Sequence, residues 1–292
     1  MREYTLESGV NYVKANGITH AYISEGEGPL VLMMHGFPDT PHTFDEARPT
    51  IAKAGFRVVT PFLRGYAPSD IPDTDTDLKT QGEDVLALIK ALGYDEAILV
   101  GHDWGASAVY AAAALDSKPI RKLITVGIPH PACIRPSLKL AWAARHFVTL
   151  RLPGALAKLR SNDFKLVEEL THRWGPTWQP DPSEFEAVKN VFSAPGSANA
   201  ALGYYRKMTP PPKWMQAIID VPTIAIAGRD DPNISPDAFE PARRFFSAGY
   251  RVIELAGGHF CHREEPDVFA SRVLAFIHGD SMCDPEPKVV PH

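Results

Sequence analysis

Short apolar runs recur along the chain with little polar interruption: Leu30 to Met34, Phe56 to Thr60, Ala97 to Val100, Leu123 to Val126, Thr223 to Ala227 and Val252 to Leu255. A strand reads this way when helices cover both faces of a parallel sheet. The stretches between them, around residues 43–54, 77–92, 104–116, 236–247 and 265–278, are expected to be helical. Two β-like runs precede the series, around residues 10–13 and 18–23, with the hairpin signal Asn16-Gly17 between them. Strands alternating with helices indicate a doubly wound α/β fold, a mostly parallel sheet flanked by helices.

The alternation is broken once. From Pro131 to about Trp214 no clean strand occurs, and Trp142, Trp174, Trp178 and Trp214 lie in the segment or at its end. Pro129, Pro131 and Pro136 mark one edge and Pro210-Pro211-Pro212 the other, the triplet acting as a stiff exit linker. The expected organisation is a core in two parts, residues 1–130 and 214–292, with a helical cap inserted at 131–213. The last dozen residues, with three prolines and no periodicity, are expected to form a loose tail.

Composition narrows the function classes. The 292 residues suffice for a sizeable core without covalent staples. A net charge of -5 removes the electrostatic case for nucleic acid or an anionic membrane surface, and no apolar run is long enough to span a bilayer. Cys133, Cys261 and Cys283 are too few and too scattered for a disulfide framework or a zinc site. Met1-Arg2-Glu3-Tyr4 has acid where a signal peptide needs a basic and then an apolar region, so a cytoplasmic setting is expected. No cluster has metal-ligand spacing and no glycine-rich phosphate loop occurs, so no cofactor is expected.

The candidate chemistry begins at Gly101-His102-Asp103-Trp104-Gly105, where a strand gives way to a helix. The frame is Gly-x-nucleophile-x-Gly, with Asp103 at the nucleophile position. Taken alone, Asp103 reads equally well as a helix cap. His35-Gly36-Phe37-Pro38 follows the Leu30–Met34 strand, where backbone N–H groups of Phe37 and Trp104 would converge on one oxygen; the alternative is a plain turn. Gly228-Arg229-Asp230-Asp231 ends one strand and Gly257-Gly258-His259-Phe260 follows the next. These residues could be turn formers, but nucleophile, acid and histidine in this order, each at a strand's C-terminal end, argue for a triad.

These segments, with Leu63-Arg64-Gly65-Tyr66-Ala67-Pro68-Ser69-Asp70, resemble the α/β-hydrolase superfamily and, within it, the epoxide hydrolases. The resemblance covers nearly the whole chain except the tail, and the insertion sits where that family carries its cap. It implies that Asp103 attacks an epoxide carbon, that Asp231 rather than Asp230 orients His259, and that His259 activates water against the resulting ester. A carboxylate nucleophile suits attack on saturated carbon and excludes an ordinary esterase or lipase. The expected partners are a small epoxide and water, with a homodimer left open. His35, Phe37 and Trp104 are expected to line the substrate.

Epoxide opening also needs a proton donor, which the family usually supplies from two cap tyrosines. Tyr205, in Gly203-Tyr204-Tyr205-Arg206, matches one; the alternative is an aromatic filling the cap. No tyrosine lies between Tyr110 and Tyr204, and counting back from Leu152-Pro153-Gly154 places His146 at the other position, as a donor or as a structural histidine. Two rival functions remain. A haloalkane dehalogenase would use the same Asp and His with Trp104 as a halide donor, although Phe37 stands where a second donor is common. A ligand-binding protein on a hydrolase scaffold is the rival from another class.

Overall fold

The structure is a computed structural model that describes residues 2–6, 8–134 and 145–279; the side chains of residues 145–147 lie outside the description. An eight-stranded sheet has the order β1-β2-β4-β3-β5-β6-β7-β8. Strands β1 (Asn11–Ala15) and β2 (Ile18–Glu25) form the Asn16-Gly17 hairpin, and β2 pairs antiparallel with β4 (Arg57–Pro61). The remaining neighbours are parallel: β4 with β3 (Leu30–Met34), then β5 (Ala97–His102), β6 (Ile120–Val126), β7 (Thr223–Gly228) and β8 (Tyr250–Leu255).

Alternate side chains divide between two cores. Leu30, Leu32, Met34, Leu99, Leu123, Ala225 and Ala227 lie in one cluster, while Val31, Met33, Ile98, Val100, Ile124, Val126, Ile224 and Ile226 lie in the other. Because both faces are buried, the strands carry no polar alternation. Helices α2 (Leu78–Ala91) and α3 (Trp104–Leu115) cover the first face. On the other, α1 (Ala47–Lys53) packs against α10 (Pro266–His278), and the short α9 (Cys261–Glu264) leads into α10.

The expected helix at 236–247 is instead two 3₁₀ turns, Pro236–Ala238 and Glu240–Phe245. Pro236 and Pro241 restrict it: a proline inside a helix removes a donor and clashes with the preceding turn. The expected helix at 43–54 likewise splits into a 3₁₀ turn, Pro41–Phe44, and α1.

Between β6 and β7 the described residues form no strand. They fold into α4 (Arg145–Arg151), α5 (Ala155–Arg160), α6 (Lys165–Trp174), α7 (Glu186–Ser193) and α8 (Ser197–Lys207). Phe164, Val167, Phe192, Leu202 and Tyr204 continue the core cluster of the α2/α3 face into this layer. Polar contacts fix its seat. Tyr204 Oη donates to the Arg64 carbonyl at 2.8 Å, Ser197 Oγ to the Gly65 carbonyl at 3.1 Å, and Arg206 Nε to Asp75 at 2.8 Å.

Candidate active site

The turn after β5 sets the geometry. Asp103 has φ 52° and ψ -116°, a backbone conformation costly for any residue but glycine. Backbone bonds hold it there, from Asp103 N–H to the Val126 carbonyl at 3.3 Å and from Ser107 N–H to the Asp103 carbonyl at 3.1 Å. Close packing demands glycine on either side: a β-carbon on Gly105 would collide with the Met34 carbonyl, and one on Gly36 with the Asp103 side chain. The parallel register Met34↔Gly101 brings the loop after β3 against this turn.

The two carboxylate oxygens of Asp103 have different neighbours. Phe37 N–H donates to Oδ1 at 2.8 Å, and Oδ2 lies 3.4 Å from His259 Nε2. Trp104 opens α3, so its N–H has no acceptor within the helix. His259 Nε2 makes no hydrogen bond, while Nδ1–H donates to Asp231 Oδ2 at 2.9 Å. Asp231 Oδ1 accepts from the N–H groups of Asn233 (2.8 Å) and Ile234 (3.2 Å), which locks the carboxylate. Its neighbour Asp230 is exposed, so the two adjacent acids are distinguished by burial.

Electrostatics couple the three groups. Burial alone would depress the pKa of His259, but the charge and hydrogen bond of Asp231, with the nearby Asp103 carboxylate, outweigh it and raise the value to about 10. Burial would raise Asp103, yet His259 and the Phe37 N–H hold it below the ordinary carboxylate value. Both shifts favour the carboxylate–imidazolium form of the pair.

Tyr204 and Tyr205 are adjacent on α8 and so point about 100° apart. Tyr204 anchors the layer to Arg64, whereas the buried Tyr205 ring stands edge-on to Trp104 and to Phe37, each at 5.2 Å between centroids. Burial, then the Asp103 charge, pushes the Tyr205 phenol well above its ordinary pKa, so it keeps its proton. The indole N–H of Trp104 is buried on the Tyr205 side, where its interaction with the phenol oxygen offsets part of that rise.

Two expectations need a different account. His35 does not present a polar atom to a ligand: its ring is fully buried, Nε2 accepts from Leu63 N–H at 3.1 Å, and Nδ1–H donates to the Gly36 carbonyl at 2.9 Å. Burial lowers its pKa to about 4, and as a neutral ring it braces the turn. His146 belongs to α4, but its side chain lies outside the described residues.

Other residues hold the histidine in place. The Trp174 carbonyl accepts His259 N–H at 2.8 Å, and His102 Nε2–H donates to the His259 carbonyl at 3.0 Å, so both flanks of the histidine are held. Glu264 accepts from Gly258 N–H and from Thr177 Oγ, each at 2.6 Å, joining the same loop to the cap layer. Among the described residues no cluster of His, Cys, Asp or Glu could hold a metal ion, and no helix is long and apolar enough to cross a membrane.

Residues 29–266 match the model of the alpha/beta hydrolase fold family, and the chain belongs to that family. It is 26% identical over 289 residues to epoxide hydrolase 4 of Mus musculus, an alignment spanning 93% of this chain and 80% of the relative. It is 33% identical over 189 residues to an epoxide hydrolase of Caballeronia sordidicola, spanning 64% of this chain and 53% of the relative. The crystal structure of a variant epoxide hydrolase from Bacillus megaterium, complexed with its diol product, superposes with a TM-score of 0.81 at 25% identity, covering 92% of this chain and 100% of that one.

Proposed function

We propose that the protein is an epoxide hydrolase working through a covalent ester on Asp103. The observation that carries this reading is the inequivalence of the Asp103 oxygens: Oδ1 is engaged by Phe37 N–H, leaving Oδ2, on the His259 side, as the nucleophile. The names of the relatives support the substrate class.

In the first step Oδ2 attacks an epoxide carbon, the carbon–oxygen bond breaks, and Tyr205 gives its proton to the departing alkoxide. Esterification removes the Asp103 charge that helps keep His259 protonated, so the imidazolium releases a proton that restores Tyr205. Neutral His259, oriented by Asp231, then takes a proton from water as the hydroxide attacks the Asp103 carboxyl carbon. The negative charge develops on Oδ1, where Phe37 N–H already donates and Trp104 N–H supplies the second donor. Collapse expels the diol alkoxide, which takes the proton from His259. The carboxylic acid left on Asp103 returns its own proton to His259, which regenerates the resting pair.

The buried Trp104 indole N–H, beside the nucleophile, favours one second reading, halide release by the same nucleophile. A side-by-side screen of epoxides and haloalkanes, detecting diol and free halide, tests both. Diol without halide is the expected result. Halide without diol would replace the first reading with the second, and tight binding without either product would indicate a non-catalytic protein.

A further inference from the structure

Ester hydrolysis uses groups on two separate loops, the His259 base after β8 and the Phe37 N–H after β3. Two side-chain contacts tie those loops together: Thr43 Oγ1 and His262 Nε2 lie 2.7 Å apart, and Arg263 reaches across both loops and into the cap layer. Arg263 Nη1 donates to Asp39 Oδ2 at 3.1 Å, and Asp39 lies two residues beyond Phe37. Its Nη2 pairs with Glu184 in the cap layer, and its guanidinium carbon lies 4.6 Å from the ring centroid of Trp178, also in that layer.

Both ends of the Arg263–Asp39 pair are fixed. Asp39 N–H donates to the Gly36 carbonyl at 3.2 Å, and Asp39 Oδ1 accepts Thr40 N–H at 2.8 Å. Arg263 N–H donates to the Phe260 carbonyl at 2.7 Å, immediately after His259. The side chains are 12% and 7% exposed, so solvent and salt screen their attraction only weakly. A cavity of about 270 Å³ opens beside Arg263 between the cap layer and the core, bounded by Thr43, Ser183, Ala187 and His262 among others. Apolar packing is incomplete there, which leaves polar contacts to hold the join.

The groups that alkylate have holds of their own besides this bridge, α8 being seated separately by Tyr204 on the Arg64 carbonyl. Asp103 is held by the β5–α3 turn and Tyr205 by α8. Resting on the covalent reading above, we propose that Arg263 is a positioning residue for ester hydrolysis. It keeps the base loop and the oxyanion loop in register with the cap seated on both, and its removal slows breakdown of the Asp103 ester more than its formation.

The test is rapid-quench single turnover, with intact-mass detection of the alkyl-enzyme and the epoxide that gives most diol in the screen. It compares wild type, Arg263→Met, Arg263→Lys and Asp39→Asn. Small displacements of reacting groups cost up to about 10²-fold, so the hydrolysis rate constant should fall roughly tenfold or more in Arg263→Met and Asp39→Asn. The alkylation rate constant should stay within about twofold, so that adduct accumulates. Arg263→Lys should recover part of the loss, and the Arg263→Met/Asp39→Asn pair should be no worse than the worse single variant, because each breaks the same contact. Equal loss in both steps, or unchanged hydrolysis, overturns the proposal. Asp39→Asn, which preserves shape, decides the matter if Arg263→Met does not fold. A different result bears on the covalent reading itself: diol from wild type with no adduct in either wild type or His259→Gln.

Discussion

Phe37 N–H lies 2.8 Å from Asp103 Oδ1 in the resting protein, already where charge would appear when an ester at Asp103 is attacked by water. The donor needs no movement between the two half-reactions, and that preorganisation gives such a site its electrostatic advantage. Of the two Asp103 oxygens, the one left to react is the one beside His259.

If His259 acts only in the second step, His259→Gln should still form the ester and then stall. Mass spectrometry of the intact protein should show an adduct equal to the substrate mass. Folded variant with bound epoxide and no adduct would move His259 into the first step.

Tyr205→Phe should slow alkylation by roughly 10²–10⁴-fold, the usual worth of a general acid, while hydrolysis of ester already formed stays near normal. Single-turnover kinetics separates the two. Alkylation at the wild-type rate would make Tyr205 a packing residue only.

The pKa of His259 is raised from 6.5 to about 10, so its contribution to stability has a definite sign. The native state holds the proton more tightly than the unfolded chain. The stabilisation is therefore fully present below about pH 6.5 and is lost as pH rises through about 10. Asp103→Asn removes one of the charges responsible, as esterification does, and should lower the His259 pKa in an NMR titration. An unchanged pKa would contradict the proposed release of the His259 proton on esterification.

Much of this was legible in the sequence because burial on both faces gives strands a continuous apolar signature, as in Leu30–Met34 and Ala97–His102. The frame around Asp103 was legible because close packing restricts Gly101 and Gly105 to glycine. Burial, which separates Asp231 from Asp230, is invisible in an Asp-Asp pair. Residue type alone does not separate Tyr204 from Tyr205 either: the family resemblance singles out Tyr205, and the register of α8 turns the two in different directions. Arg263 and Asp39 are 224 positions apart, and nothing in either segment names the other as its partner. The segment 236–245 forms 3₁₀ turns rather than the expected helix because Pro236 and Pro241 restrict the backbone.

A buried ion pair below the cap supplies a stability test away from the reacting atoms. Arg64 Nε donates to Asp84 Oδ2 at 2.8 Å and Nη2 to Oδ1 at 2.5 Å, and Asn16 Nδ2 donates to the same carboxylate at 2.6 Å. Arg64→Met would strand the Asp84 charge and should cost about 3–5 kcal/mol in denaturant unfolding. A loss under about 1 kcal/mol would show that water reaches the site.

The most direct measurement is a single turnover in oxygen-18 water with enzyme in excess, followed by mass analysis of the diol and of Asp103-containing peptides. With an ester intermediate, the first diol carries unlabelled oxygen taken from Asp103, and the label appears in the Asp103 carboxylate. Full labelling of the first diol, with none in Asp103, would mean that water attacks the epoxide directly and that no ester forms.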